Sequence, residues 1–202
     1  MKSVVFSSLF LLGNCSPLLA EIPHRTIAGV SVIDTPIVRD AISYTKAHED
    51  GGVFNHSMRS WVFGSLIINR NPAYNKIVDE EVHALGAILH DFGIEDPKAP
   101  MKNDHAALGE TGVRNFLANS TEGKLWKQSR VQLVVDSVVL HLKASDSSQA
   151  LEVRAVRDGQ LIDLMGPSGY VTTAEYKTVV EAYPLGKDFM ELSPGMNHHS
   201  EK

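Results

Sequence analysis

Between Asp79 and Gly93 the sequence lays out a whole helix. Asp79 is placed to cap it, Glu80 and Glu81 suit the positive end of its dipole, and Gly93 suits a left-handed exit. Val82, Leu85, Ile88 and Leu89 form an apolar stripe that must be covered by other elements. The stretch ends on Leu89-His90-Asp91-Phe92-Gly93. Neighbouring helical residues point about 100° apart, so His90 and Asp91 converge only on an object lying between them. A metal ion fits that description.

The same period recurs along the chain. Asp34 or Thr35 can cap a helix that has Pro36 in its first turn and Ile37, Ala41, Tyr44 and Thr45 at helical spacing, closed by Gly51-Gly52. Val53 to Asn69 reads as the next helix, carrying His56, with Asn71-Pro72 ending it. Further helices are predicted over His105 to Ala118, Lys124 to Leu142, Ser147 to Met165 and Thr173 to Ala182. Glu21 to Val32 reads as a connecting stretch, and no segment alternates at period two. The expected fold is all-α, a single helical bundle over residues 21–202.

Residues 1–20 stand apart: Lys2, the apolar run Val4 to Leu12, then Cys15 and Ala20 as small-residue exits. This segment reads either as a signal peptide or as a native N-terminal apolar helix, and it is too short to span a membrane. Secretion and a cytoplasmic location both stay open. Two glycosylation sequons, Asn55-His56-Ser57 and Asn119-Ser120-Thr121, bear on that choice, because a glycan on Asn55 would sit beside His56.

With 202 residues and 43% hydrophobic content, the chain can bury one full core. Its net charge of −5 offers no footprint for nucleic acid or an anionic membrane, so the expected partner is a small-molecule substrate, with homo-oligomerisation open. The one cysteine, Cys15, excludes a Cys-rich zinc site. Any metal must therefore be held by histidine and carboxylate.

Four residues are suited to hold one, namely His56, His90, Asp91 and Asp163. Asp163 lies among Leu161, Ile162, Leu164 and Met165, where a carboxylate must be exposed or paired. Taken singly, each is explained by a satisfied core histidine or a solvated aspartate. Together, two His and two Asp make an N/O site that suits zinc, iron or manganese, and a helix bundle is a usual place to build one.

The order His, then His-Asp, then Asp on successive helices resembles the HD-domain superfamily of metal-dependent hydrolases. Three blocks are similar to its cyanamide hydratase-like branch: Gly52-Val53-Phe54-Asn55-His56-Ser57-Met58-Arg59-Ser60, Ala87-Ile88-Leu89-His90-Asp91-Phe92-Gly93, and Leu161-Ile162-Asp163-Leu164-Met165-Gly166. The resemblance implies that His56, His90, Asp91 and Asp163 hold one divalent transition metal, zinc in the first instance, with room for a water. It also implies hydration or hydrolysis of a small nitrile- or amide-like substrate such as cyanamide through that water. Asn55 and Arg59 flank His56 and are expected to hydrogen-bond a ligand or the substrate, the alternative being a cap and a surface arginine. Glu81 matches an acid that orients a ligand or only favours the helix dipole. His141 is expected inward, as a general acid–base or substrate contact. The stretch from His105 to Glu110 instead resembles HD phosphohydrolases, where an additional histidine helps hold a second metal and the substrate is a nucleotide or phosphate ester.

Overall fold

A computed structural model describes residues 22–92, 105–143 and 147–186, with the side chain of His105 excepted. It is an all-α bundle of seven α-helices among the described residues, preceded by a small β-hairpin. The hairpin corrects the expectation of a connecting stretch. Strand β1 (His24–Ile27) pairs antiparallel with β2 (Val30–Ile33), Ile27 opposite Val30 and His24 opposite Ile33. Ala28 and Gly29 turn the corner with φ of 49° and 81°. Two successive positive φ values are the turn geometry whose twist matches paired strands. Four-residue strands carry too few alternations to register in sequence. Val32 and Ile33, adjacent yet both buried, hide the pattern further.

Helix α1 (Pro36–His48) starts with Pro36 in its first turn, and Thr35 occupies the cap position without making a side-chain cap bond. The Glu122 carboxylate accepts from the Ile37 amide at 3.1 Å instead. Helix α2 (Gly51–Arg70) begins earlier than its apolar pattern suggests. Asp50 accepts from the amides of Gly52 and Val53 at 2.6 and 3.0 Å, so Gly51-Gly52 form its first turn rather than the end of α1. This cap outweighs the poor helix propensity of glycine. From His56 to Ile68 every residue of α2 is buried, which makes it the central helix of the bundle.

Helix α3 (Glu80–Ile88) has the expected cap, with Asp79 accepting from the amides of Glu81 and Val82 at 3.2 Å each. It ends at Ile88, so His90 and Asp91 stand in the turn just beyond it, and the Gly93 exit lies outside the described residues. Helix α4 (His105–Asn119) is followed by a short 3-10 turn, Gly123–Leu125, and by α5 (Gln128–Leu140). The single helix expected over Lys124 to Leu142 is thus broken at Trp126 and Lys127, whose backbones are extended. Trp126 leaves the helical path to lie under the Arg130 guanidinium, 3.6 Å from its ring centroid.

Helix α6 (Leu151–Met165) starts four residues later than Ser147, and α7 (Thr173–Ala182) opens with a capping box between Thr172 and Glu175. The α2–α6 contact organises the bundle. A Cβ at Gly159 would lie 2.2 Å from the Ser60 carbonyl oxygen and 2.7 Å from the Gly64 amide nitrogen, so only glycine permits this approach. Trp61, Phe63, Leu85, Ile88 and Val134 belong to the core that α2, α3 and α5 share. No helix among the described residues is long and apolar enough to cross a membrane.

Candidate metal centre

Two elements deliver donor atoms to one point. His56 rides on the second turn of α2, while His90 and Asp91 follow α3, and both imidazoles are buried. His56 Nε2 lies 3.1 Å from His90 Nε2 and 3.6 Å from Asp91 Oδ2. His90 Nε2 is 3.3 Å from the same Asp91 oxygen. The buried group of His56, His90 and Asp91 can hold a metal ion.

The hydrogen bonds behind the two rings show why this chemistry calls for a cation. His90 Nδ1 is 2.8 Å from the Ala87 carbonyl oxygen, which only accepts, so the proton sits on Nδ1. His56 Nδ1 is 2.6 Å from Asp163 Oδ2, and the same reasoning places a proton there. In the neutral rings both Nε2 atoms are then lone pairs, facing each other and the Asp91 carboxylate. Three acceptors converging in a buried site repel unless a proton or a metal ion lies among them. Burial pushes the His90 imidazole down to about 4, against the attraction of Asp91, and so keeps it in the neutral form that ligates metals.

His141 joins the rim of this group. It follows α5, and its Nδ1 lies 2.6 Å from the Val138 carbonyl, which leaves Nε2 turned toward Asp91 Oδ1 at 3.7 Å. Its ring meets that of His90 edge to face, with centroids 4.9 Å apart. The histidine expected inward is therefore inward.

Asp163 is placed differently from the expectation. It is completely buried on α6, but it bonds the far nitrogen of His56 rather than joining the converging donors. The physical reason is Arg59, which is equally buried. Its Nε donates to Asp163 Oδ1 at 2.5 Å and its Nη2 to Oδ2 at 2.9 Å, so both carboxylate oxygens are engaged. Burial alone would raise the Asp163 carboxyl, but the hydrogen bonds from His56 and Arg59 outweigh it and hold the group below its ordinary range. Asp163 is thus a carboxylate that orients a histidine whose other nitrogen faces the centre.

Arg59 is accordingly not a surface arginine. Its Nη1 donates to the Tyr183 and Pro184 carbonyls at 2.8 and 3.2 Å, tying the centre to the segment after α7. The Asn55 side-chain amide donates to the Pro184 carbonyl at 2.9 Å, and so supports the same segment rather than the donor group. Glu81 does not reach the centre either. It lies at the other end of α3, where Arg130 donates to it at 2.6 Å and also grips Asp79. A position nine residues ahead of His90 is about 13 Å away along a helix axis. His105 opens α4, and its side chain lies outside the described residues.

One residue went unseen in the sequence. Glu49 lies between α1 and the Asp50 cap of α2, where neither apolar period nor motif marks it. Both of its carboxyl oxygens are buried. Burial, then repulsion from Asp91 and Asp50, pushes its carboxyl up to about 9, with the Ser57 hydroxyl acting in the opposite sense. Glu49 lines a cleft of about 600 Å³ together with Lys46, Phe54, Asn55, Tyr183 and Pro184. The cleft is walled by the same segment that Arg59 and Asn55 hold. No protein-family model matches the chain, and no curated protein does.

Proposed function

We propose that this chain is a metal-dependent hydrolase or hydro-lyase acting on a small, neutral nitrile- or amide-like substrate such as cyanamide. The observation that carries the reading is the convergence of His56 Nε2, His90 Nε2 and Asp91 Oδ2, two buried imidazoles and a half-buried carboxylate aimed at one point. The motif resemblance to the HD-domain superfamily supports the same chemistry. Two imidazoles and a carboxylate suit zinc first, with iron and manganese compatible with the same donors. When bound, such an ion supplies Lewis acidity and lowers the pKa of a water.

The protein's own residues supply the rest. Arg59 and Asp163 fix the His56 ring so that Nε2 faces the centre. His141 Nε2, on the far side of Asp91, is positioned to take or return a proton during addition to the substrate carbon. The carboxylates of Asp91 and Asp50 lie near enough to Glu49 to help push its carboxyl toward the neutral form, an environment of negative charge that favours a neutral substrate over a phosphate ester.

The test is metal analysis of the purified chain joined to a screen of cyanamide, nitriles, amides and phosphate esters. About one transition-metal ion per chain is expected, with hydration or hydrolysis of a carbon–nitrogen substrate, both lost in His90→Ala. A wild-type chain that binds no transition metal, or a His90→Ala variant that turns over at full rate, overturns the proposal. Two ions per chain with phosphatase activity would replace it by a phosphohydrolase.

A further inference from the structure

The two ends of α7 are held in different ways. At its start the Tyr176 ring stacks on Phe63 of α2, centroids 5.3 Å apart, and the Tyr176 hydroxyl donates to the Asp163 carbonyl oxygen at 3.3 Å. At its end the chain leaves the helix at Tyr183, and residues 183–186 lie against the first turns of α2. A Cβ added to Gly52 would stand 3.8 Å from the Gly186 Cα. Asn55 donates to the Pro184 carbonyl at 2.9 Å, and Arg59 Nη1 donates to the carbonyls of Tyr183 and Pro184 at 2.8 and 3.2 Å. The same guanidinium uses Nε and Nη2 to hold both oxygens of Asp163, which in turn holds His56 Nδ1. One buried cation thus joins a surface segment to a ring whose other nitrogen faces the donor group.

A guanidinium is a planar, rigid fork, so it cannot follow one set of acceptors without turning against the other. With residues 183–186 docked, Arg59 has acceptors on both sides and the Asp163 carboxylate is held in place. Were the segment to lift, Nη1 would lose two carbonyls inside a buried site and regain partners only by swinging toward water. Asp163 would then lose the geometry that fixes the His56 ring, and Nε2 would no longer be held on the donor point. We propose that residues 183–186 form a strap whose docking is coupled to metal uptake, with Arg59 as the positioning residue that transmits the coupling and Asn55 as the second hold on the strap. A metal ion binds the docked state more tightly, and by linkage it holds the strap down by the same factor. The inference rests on the reading of His56, His90 and Asp91 as a metal centre and requires no particular substrate.

Zinc is the probe, added to the full chain. Subtilisin cleavage within residues 183–186, located by mass spectrometry, reports the open strap, because cleavage tracks the open population when opening is fast. Saturating zinc is expected to slow that cleavage in wild type on the order of five- to tenfold. Asn55→Ala leaves Arg59, Asp163 and the donor group in place; it should be cleaved faster without metal and, in chelator competition, bind zinc about five- to tenfold more weakly. Pro184→Gly keeps both strap carbonyls and only enlarges the freedom of the open strap, so it should weaken zinc binding in the same direction. Circular dichroism checks that both variants keep their helices. Zinc that binds yet leaves cleavage at residues 183–186 unchanged, or slows cleavage throughout the chain by the same factor, overturns the coupling alone. So does wild-type zinc affinity in both variants. A wild type that takes up no zinc or other transition metal overturns the metal reading itself, and the coupling with it.

Discussion

Replacing Asp163 by Asn tests the support of the centre most directly. Arg59 and Asp163 are each 0% exposed, and the carboxylate receives two hydrogen bonds from the guanidinium and one from His56. An amide in its place offers one acceptor and turns an NH₂ toward groups that only donate. Arg59 would keep the Tyr183 and Pro184 carbonyls but lose its counter-charge. Breaking one side of a buried ion pair costs about 3–5 kcal/mol, a large share of the roughly 5–15 kcal/mol that holds a domain folded. Guanidinium denaturation of the metal-free protein should show that loss as a lower midpoint at unchanged slope. Chelator competition on the loaded protein should show metal affinity down by about 10- to 100-fold, the usual effect of removing a group that orients a ligand. Replacing Arg59 by Met together with Asp163 by Leu should recover much of the stability, since no charge is then left buried. A variant within about 1 kcal/mol of wild type, at undiminished metal affinity, would refute the reasoning. Complete loss of metal in a folded Asp163→Asn chain would instead show Asp163 to be a ligand itself.

Other expectations follow from the same geometry. The His90→Ala chain should fold yet bind no transition metal, as read by metal analysis and circular dichroism. His83, fully buried with Nε2 unpartnered, has its pKa pushed by burial down to about 3 from an ordinary 6.5. The unfolded chain then takes up a proton that the native state refuses. His83 should therefore cost roughly 1 kcal/mol of stability per pH unit as pH falls below the ordinary value. Denaturation of His83→Leu between pH 7 and 5 should show a pH slope shallower by about one proton, and an unchanged slope would contradict the assignment. Gly159→Ala should destabilise by about 1–3 kcal/mol or more, because the added carbon meets the α2 backbone at Ser60 and Gly64. Intrinsic helix propensity alone would stabilise that variant by about 1 kcal/mol, so a rise in Tm would refute the packing argument. Metal affinity should fall with it, since Asp163 lies one turn further along α6.

How much was legible depended on how local the signal is. The cap at Asp79, the stripe through Val82, Leu85 and Ile88, and the span Thr173–Ala182 are written within a few residues, and the structure has them. The hairpin was hidden because strands of four residues are stabilised by the partner strand and by packing on α2, not by their own pattern. The break at Trp126 was hidden because the ring is drawn out of line by Arg130. The cap at Asp50 was hidden because Gly51-Gly52 read as an ending, although a carboxylate can cap a helix whose first turn is glycine.

At the centre the division is sharper. Sequence alone determined that only histidine and carboxylate can serve, that His90 and Asp91 end an apolar helix, and that an aspartate amid Leu161 to Met165 has to be exposed or paired. These follow from composition, period and the cost of burying charge, which do not depend on partners. Which atoms meet was decided only by tertiary structure. Helices α2 and α6 approach at Gly64 and Gly159 so closely that Asp163 reaches His56 Nδ1, and Arg59 claims the rest of that carboxylate. Glu49 acquires its unusual state solely from what packs around it. Distances between side chains on different helices depend on crossing geometry, to which a linear pattern of residues holds no key.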